Sequence, residues 1–138
     1  MHAVHVQAPG GLEKLSIADR SARAPGVGEI QVALKASSLN FHDYAVVTGM
    51  IPTTDGRIPL SDGSGVVAAV GEGVSAFAVG DHVMSYFFPA WVSGRASSAA
   101  LQGVPGDHVD GFAAQTVTMP ASAFSGIPRS LSFAEAAT

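Results

Sequence analysis

The sequence predicts a mainly β domain with short helices, arranged as a partly open β-barrel. Strand-like runs recur along its length, and Gly/Pro turns separate them. The one glycine motif that could open a long helix, GEGVSA at 71–76, runs after five more residues into another strand-like segment. At 138 residues the chain is one domain's worth of sequence. A domain of this size buries roughly two-thirds of the surface its unfolded chain exposes.

Ala3 to Ala8 is a short strand stopped by Pro9-Gly10-Gly11, and Leu15 to Ala18 can return on it as a hairpin. After the turn Pro25-Gly26-Val27-Gly28, Glu29 to Ser38 alternates. Ile30, Val32, Leu34 and Ala36 face one side and Gln31, Ala33, Lys35 and Ser37 the other, as in a half-buried strand. Asn40 is placed to cap a short helix over FHDYAVVTG, and Gly49 to end it. A polar loop, Ile51 to Pro59, precedes strands at Val66 to Val70 and His82 to Phe87. Pro89 to Asp110 is small, polar and Gly-rich, the composition of an exposed excursion. Phe112 to Met119 is a further strand. Ser132-Phe133-Ala134-Glu135 is a capping box that announces a helix three residues before Thr138. The expected division is therefore a barrel over 1–131 and, over 132–138, the start of a helix that a longer protein would continue.

Composition removes several functions. With 47% hydrophobic and 13% charged residues the chain is not of the disordered class. A net charge of −4, with seven Lys and Arg and no basic cluster, argues against nucleic acid as a partner. The absence of cysteine excludes disulfides, thiolate catalysis and Cys-based metal centres. MHAVHVQAPGG lacks the basic start of a secretory signal. The longest uncharged run, Gly111 to Pro128, carries too many Gly, Pro, Ser, Thr and Gln residues for a membrane span. The simplest expected location is the cytoplasm, with no membrane partner.

Gly71, Gly73 and Ala76 have the spacing of a dinucleotide-binding fingerprint. That motif needs a helix whose first amides hold the pyrophosphate, and there is no room for one here. Glu72 would also place a negative charge beside the phosphates. The glycines are expected to make tight turns between strands.

The same stretch, SDGSGVVAAVGEGVSAFAVGDHV, resembles the G-x-V-x-x-V-G-x-x-V-x-x-F-x-x-G-D-x-V segment of medium-chain dehydrogenase/reductases. HAVHVQAPGGLEKLSI is similar to their opening hairpin, and PGVGEIQVALKASSLNFHDYAVVTG to their P-x-x-G-E-V-x-V segment with its N-x-x-D. DGFAAQTVTMPASAFSGIPRSLSFAEAAT resembles the G-x-F-A-E-Y segment that leads to the domain junction. The resemblance implies a GroES-like partly open β-barrel, the N-terminal catalytic domain of an oxidoreductase. The nucleotide motif of that family lies in a Rossmann domain outside these residues.

Zinc-dependent members carry a Cys near the position of Asn40 and a G-H-E near Leu60-Ser61-Asp62, so the chain resembles the zinc-free quinone oxidoreductase-like branch. That branch implies hydride transfer from NADPH to a quinone, an activated alkene or a carbonyl, without zinc. Asn40, His42 and Tyr44 are the catalytic candidates the resemblance implies, and Asn40 and Asp43 the groups near the nicotinamide. Each also has a plain structural role. Asn40 can cap the helix, Asp43 can hold backbone amides, and His42 can be an ordinary solvated helix residue or, near neutral pH, a proton donor. Ile51, Asp62, Tyr86 and Trp91 are candidates for the pocket of an apolar electrophile; Tyr86 and Trp91, with Phe87 and Phe88, can equally be core packing. The 138 residues alone are expected to be inactive, and exposed strand edges to favour self-association or a homodimer. The rival expectation is a free-standing GroES-like module that binds proteins or apolar ligands without catalysis.

Overall fold

The computed structural model describes residues 1–138. Its first unit is a two-stranded hairpin of β1 (His2–Val6) and β2 (Leu15–Asp19), antiparallel with Val4 opposite Ile17. Ala3 and Val6 turn inward and are buried. Backbone bonds from Val4 to Ala113 and from Val6 to Arg57 stitch the hairpin to the rest of the molecule, 2.8 and 2.9 Å long.

The second unit is a five-stranded sheet of β3 (Glu29–Ser37), β4 (Gly63–Val70), β5 (His82–Ser85), β6 (Thr116–Pro120) and β7 (Phe124–Gly126), in the spatial order β6-β3-β4-β5-β7. Its two outer strands, β6 and β7, are joined by only the turn Ala121–Ala123. A link that short brings the outer strands together at that turn, so the sheet curls into a half-barrel. Register shifts between β3 and β4 at Gln31/Val32 and Leu34/Ala36 sharpen the twist that curling needs. The alternation in β3 does what its pattern requires: Ile30 and Val32 are fully buried, while Lys35 and Ser37 face solvent. Inside the curl they meet Val67, Val83, Phe112, Val117, Met119, Ala123 and Phe124, and the Phe112 and Phe124 rings pack edge to face at 6.3 Å.

The strand over residues 112–119 is shorter than its sequence suggests. Only Thr116–Pro120 forms β6, because Gly111 to Ala113 bond instead to Ile58, Leu60 and Pro59. Three residues pairing with β5 form β7, a strand too short to show a period in the sequence. The excursion is exposed from 90 to about 102 and then dives inward at Val104, Pro105 and Gly106.

Helix α1 (Phe41–Val47) follows β3 and buries Ala45, Val46 and Val47. Helix α2 (Phe133–Ala136) has a single turn, which propensity alone cannot hold. Ser132 and Glu135 cap it, the Ser64 hydroxyl donates to the Phe133 carbonyl at 2.6 Å, and Ala137 is buried. Before β3, both oxygens of Glu29 accept from the Arg23 guanidinium and one also from the Gly26 amide. The guanidinium first, then the amide, holds the Glu29 carboxyl down at about 2. No helix is long and apolar enough to cross a membrane.

Candidate active site

Two short segments meet at the end of β3. Asn40 stands at the N-cap of α1, where the Asp43 carboxylate reaches back and accepts from its backbone N–H at 2.8 Å. The Asn40 side-chain amide also reaches the turn before β4. Its Nδ2 donates to Ser61 Oγ at 3.0 Å and to Asp62 Oδ2 at 2.6 Å. Residues 21 and 22 positions apart are thus closed into one polar knot.

The turn that presents Ser61 and Asp62 is strained at one point. Leu60 has φ +76°, the left-handed region that favours glycine, and costs on the order of 1 kcal/mol there. Surrounding backbone holds it: the Phe112 amide donates to the Leu60 carbonyl at 2.9 Å, and a Cβ on Gly111 would lie 2.0 Å from that same oxygen.

Ser61 is fully buried, Asp43 nearly so, and Asp62 half so. Burial pushes the Asp62 carboxyl up from its ordinary value. The Asn40 amide opposes the rise, the Asp43 carboxylate adds to it, and His42 counters it in part. His42 is not the solvated residue that an exposed helix face would give. Its side chain is only 19% exposed, its Nε2 lies 2.9 Å from Asp107 Oδ2, and its ring meets Phe87 edge-on at 5.2 Å. From Phe87 an aromatic row continues through Phe88 at 4.7 Å to Trp91 at 6.4 Å.

Of the residues singled out in the sequence, Asn40, His42, Asp43 and Asp62 gather at this cluster, and Trp91 joins it through the aromatic row. Tyr44 is 51% exposed and its ring lies against Phe41. No side-chain hydrogen bond or ring contact ties Tyr44, Ile51 or Tyr86 to the cluster; the Ile51 amide bonds the Ala45 carbonyl and the Tyr86 amide the Ala123 carbonyl. A cavity of about 550 Å³ lies elsewhere, beside β6, lined by Arg20, Arg23, Ile58, Pro105 and Met119 among others, and by none of the candidate residues. Asp107 was missed as a site residue. It sits 65 positions from His42 in a stretch without periodicity, so no spacing in the sequence could have paired them.

The donor set suits neither zinc nor a nucleotide phosphate. The groups here are one amide, whose Nδ2 donates to both a hydroxyl and a carboxylate, whereas tetrahedral zinc is held mostly by thiolate and imidazole. No group of three His, Cys, Asp or Glu side chains is placed to hold a metal ion. Asp43 is buried at the helix cap, where its carboxylate is taken up by the Asn40 backbone N–H. At GEGVSA the chain makes turns: the Gly71 amide bonds the Glu29 carbonyl at 2.8 Å, and Gly73 has φ +79°.

Comparison with known proteins agrees with this architecture. The alcohol dehydrogenase GroES-like domain matches residues 26–129. A zinc-type alcohol dehydrogenase-like protein of Schizosaccharomyces pombe is 37% identical over 113 residues, 80% of this chain and 33% of its own length. The crystal structure of an NAD-dependent alcohol dehydrogenase superposes with a TM-score of 0.84 at 37% identity, covering 99% of this chain and 42% of that one. A quinone oxidoreductase of Pseudomonas syringae superposes with a TM-score of 0.77 at 28% identity, covering 99% of this chain and 36% of that one. The chain thus spans about a third of the length of the first of these relatives and about two-fifths of the other two.

Proposed function

Since the chain belongs to the alcohol dehydrogenase GroES-like domain family, within the medium-chain dehydrogenase/reductases, we propose that it is the acceptor-binding domain of a zinc-independent, NADPH-dependent oxidoreductase. The acceptor is an apolar electrophile: a quinone, an activated alkene or a carbonyl. The observation that supports this reading is the knot in which Asn40 Nδ2 donates to both Ser61 and Asp62, with no thiolate or imidazole among its groups. The nicotinamide, when bound, supplies the hydride. The pyrophosphate belongs to a separate nucleotide-binding domain, because these 138 residues offer no cradle for it.

This chain's own residues then have three tasks. The row Phe87–Phe88–Trp91, whose rings are inclined to one another by 77° and 59°, gives an apolar edge against which such an acceptor would lie. The knot fixes the backbone where β3 meets α1, so that this corner does not move as charge develops. In this reading Asp62, whose carboxyl burial raises, and Tyr44, exposed on α1, are the candidate donors to an acceptor oxygen.

Trp91 is the single tryptophan of the chain, so it reports on its own wall. Titrating the protein with a naphthoquinone is expected to quench Trp91 fluorescence saturably, and Phe88→Ala to weaken that binding about fivefold or more. A quench that never saturates, or that Phe88→Ala leaves untouched, contradicts the acceptor site.

A further inference from the structure

His42 lies between two carboxylates from different parts of the chain. On one side is Asp43, its neighbour in α1, with Oδ1 3.5 Å from Nδ1. On the other is Asp107, carried in from the inward-turning arm of the excursion, with Oδ2 2.9 Å from Nε2. Only the second distance is a hydrogen bond. A carboxylate accepts and cannot donate, so the shared proton belongs to the ring. We propose that Asp107 is the positioning residue of His42: its Oδ2 accepts from Nε2–H and holds the imidazole in that tautomer. Its part in turnover rests on the oxidoreductase reading above; the tautomer itself does not.

Several contacts make the arrangement rigid. The Thr53 hydroxyl donates to the Asp107 carbonyl at 2.9 Å and fixes the arm's backbone. His108 Nδ1 stands against the other Asp107 oxygen, and Phe87 packs on the His42 ring. The Asp107 side chain is 8% exposed, so little water competes for it. With Nε2 engaged, Nδ1 becomes the ring nitrogen left to take up a proton. It is buried and without a partner, and so is Asp43 Oδ1 opposite it. The inward-turning arm of the excursion therefore sets which ring nitrogen of a helix residue carries the proton.

The test reads the ring nitrogens of the 15N-labelled protein by long-range 1H–15N correlation at a pH where free imidazole is neutral, with His42→Gln to assign the signals. Wild type is expected to show His42 with a protonated Nε2 and an unprotonated Nδ1. In Asp107→Asn the amide can turn a donor toward the ring, and the Nε2–H bias should fall toward a mixture of tautomers. Thr53→Val removes only the backbone anchor and should keep the wild-type pattern. A protonated Nδ1 with bare Nε2 in the wild type overturns the assignment. So does an Asp107→Asn spectrum identical to wild type, or a Thr53→Val change as large as that of Asp107→Asn. None of these readouts passes through catalysis, so a failure here and a failure of the functional reading are separate results.

Discussion

Asp62 is the residue whose chemistry follows most directly from its surroundings. Its burial disfavours the charged form, and the nearby Asp43 carboxylate disfavours it further; the Asn40 amide recovers part of the loss. A carboxyl raised in the fold costs nothing below its ordinary value near 3.8 and destabilises increasingly as the pH rises through the raised value. Asp62→Asn keeps the acceptor that Asn40 needs and removes the charge. Urea midpoints of the variant and the wild type are therefore expected to coincide at acid pH, with the variant gaining as the pH approaches neutrality. The group is half exposed, so solvent screening keeps the gain small. A variant less stable than wild type at neutral pH would show that the ionised carboxylate is favoured by the fold. The residue types of this site were legible in the sequence, because Asn40, His42, Asp43 and Asp62 sit in recognisable motifs. Their partners were not, since hydrogen bonds spanning 22 and 65 positions leave no periodic trace.

At the scale of elements, GEGVSA joins β4 to the segment before β5 by a turn that leans on another turn. A Cβ on Gly71 would sit 1.8 Å from the Gly26 carbonyl oxygen, and the Gly28 amide bonds the Glu72 carbonyl at 2.8 Å. Gly71→Ala must push the two turns apart. We expect a loss of about 2–4 kcal/mol, read in a thermal melt as roughly 3 °C for each kcal/mol in a domain of this size. Gly126→Ala, with no neighbour within 4 Å of the new methyl group and an ordinary φ, should leave the melt almost unchanged. Equal effects would mean that close approach is not what requires Gly71. The long alternating strand β3, the β1–β2 hairpin and both capped helices were readable because each carries its own local signal. β7 and the shortened β6 were not. Their lengths are set by which partner the backbone meets across the barrel, not by the residues they contain.

For the whole molecule, the half-barrel accounts for the position of the site. Curling the sheet until β6 and β7 are three residues apart puts the apolar faces inside. It leaves the β3–α1 corner, the turn before β4 and the excursion arm to converge outside the core. The polar knot and the His42–Asp107 pair lie at that convergence, which is where the proposed acceptor site falls. The most direct test joins the 138 residues to a Rossmann domain of the same family and compares that folded protein with the 138 residues alone. Both receive NADPH and a naphthoquinone, and the loss of NADPH absorbance is followed. The expected result is quinone-dependent NADPH oxidation by the joined protein and none by the 138 residues alone. Oxidation by the 138 residues alone, or none by a joined protein shown to be folded and to bind NADPH, would contradict the account.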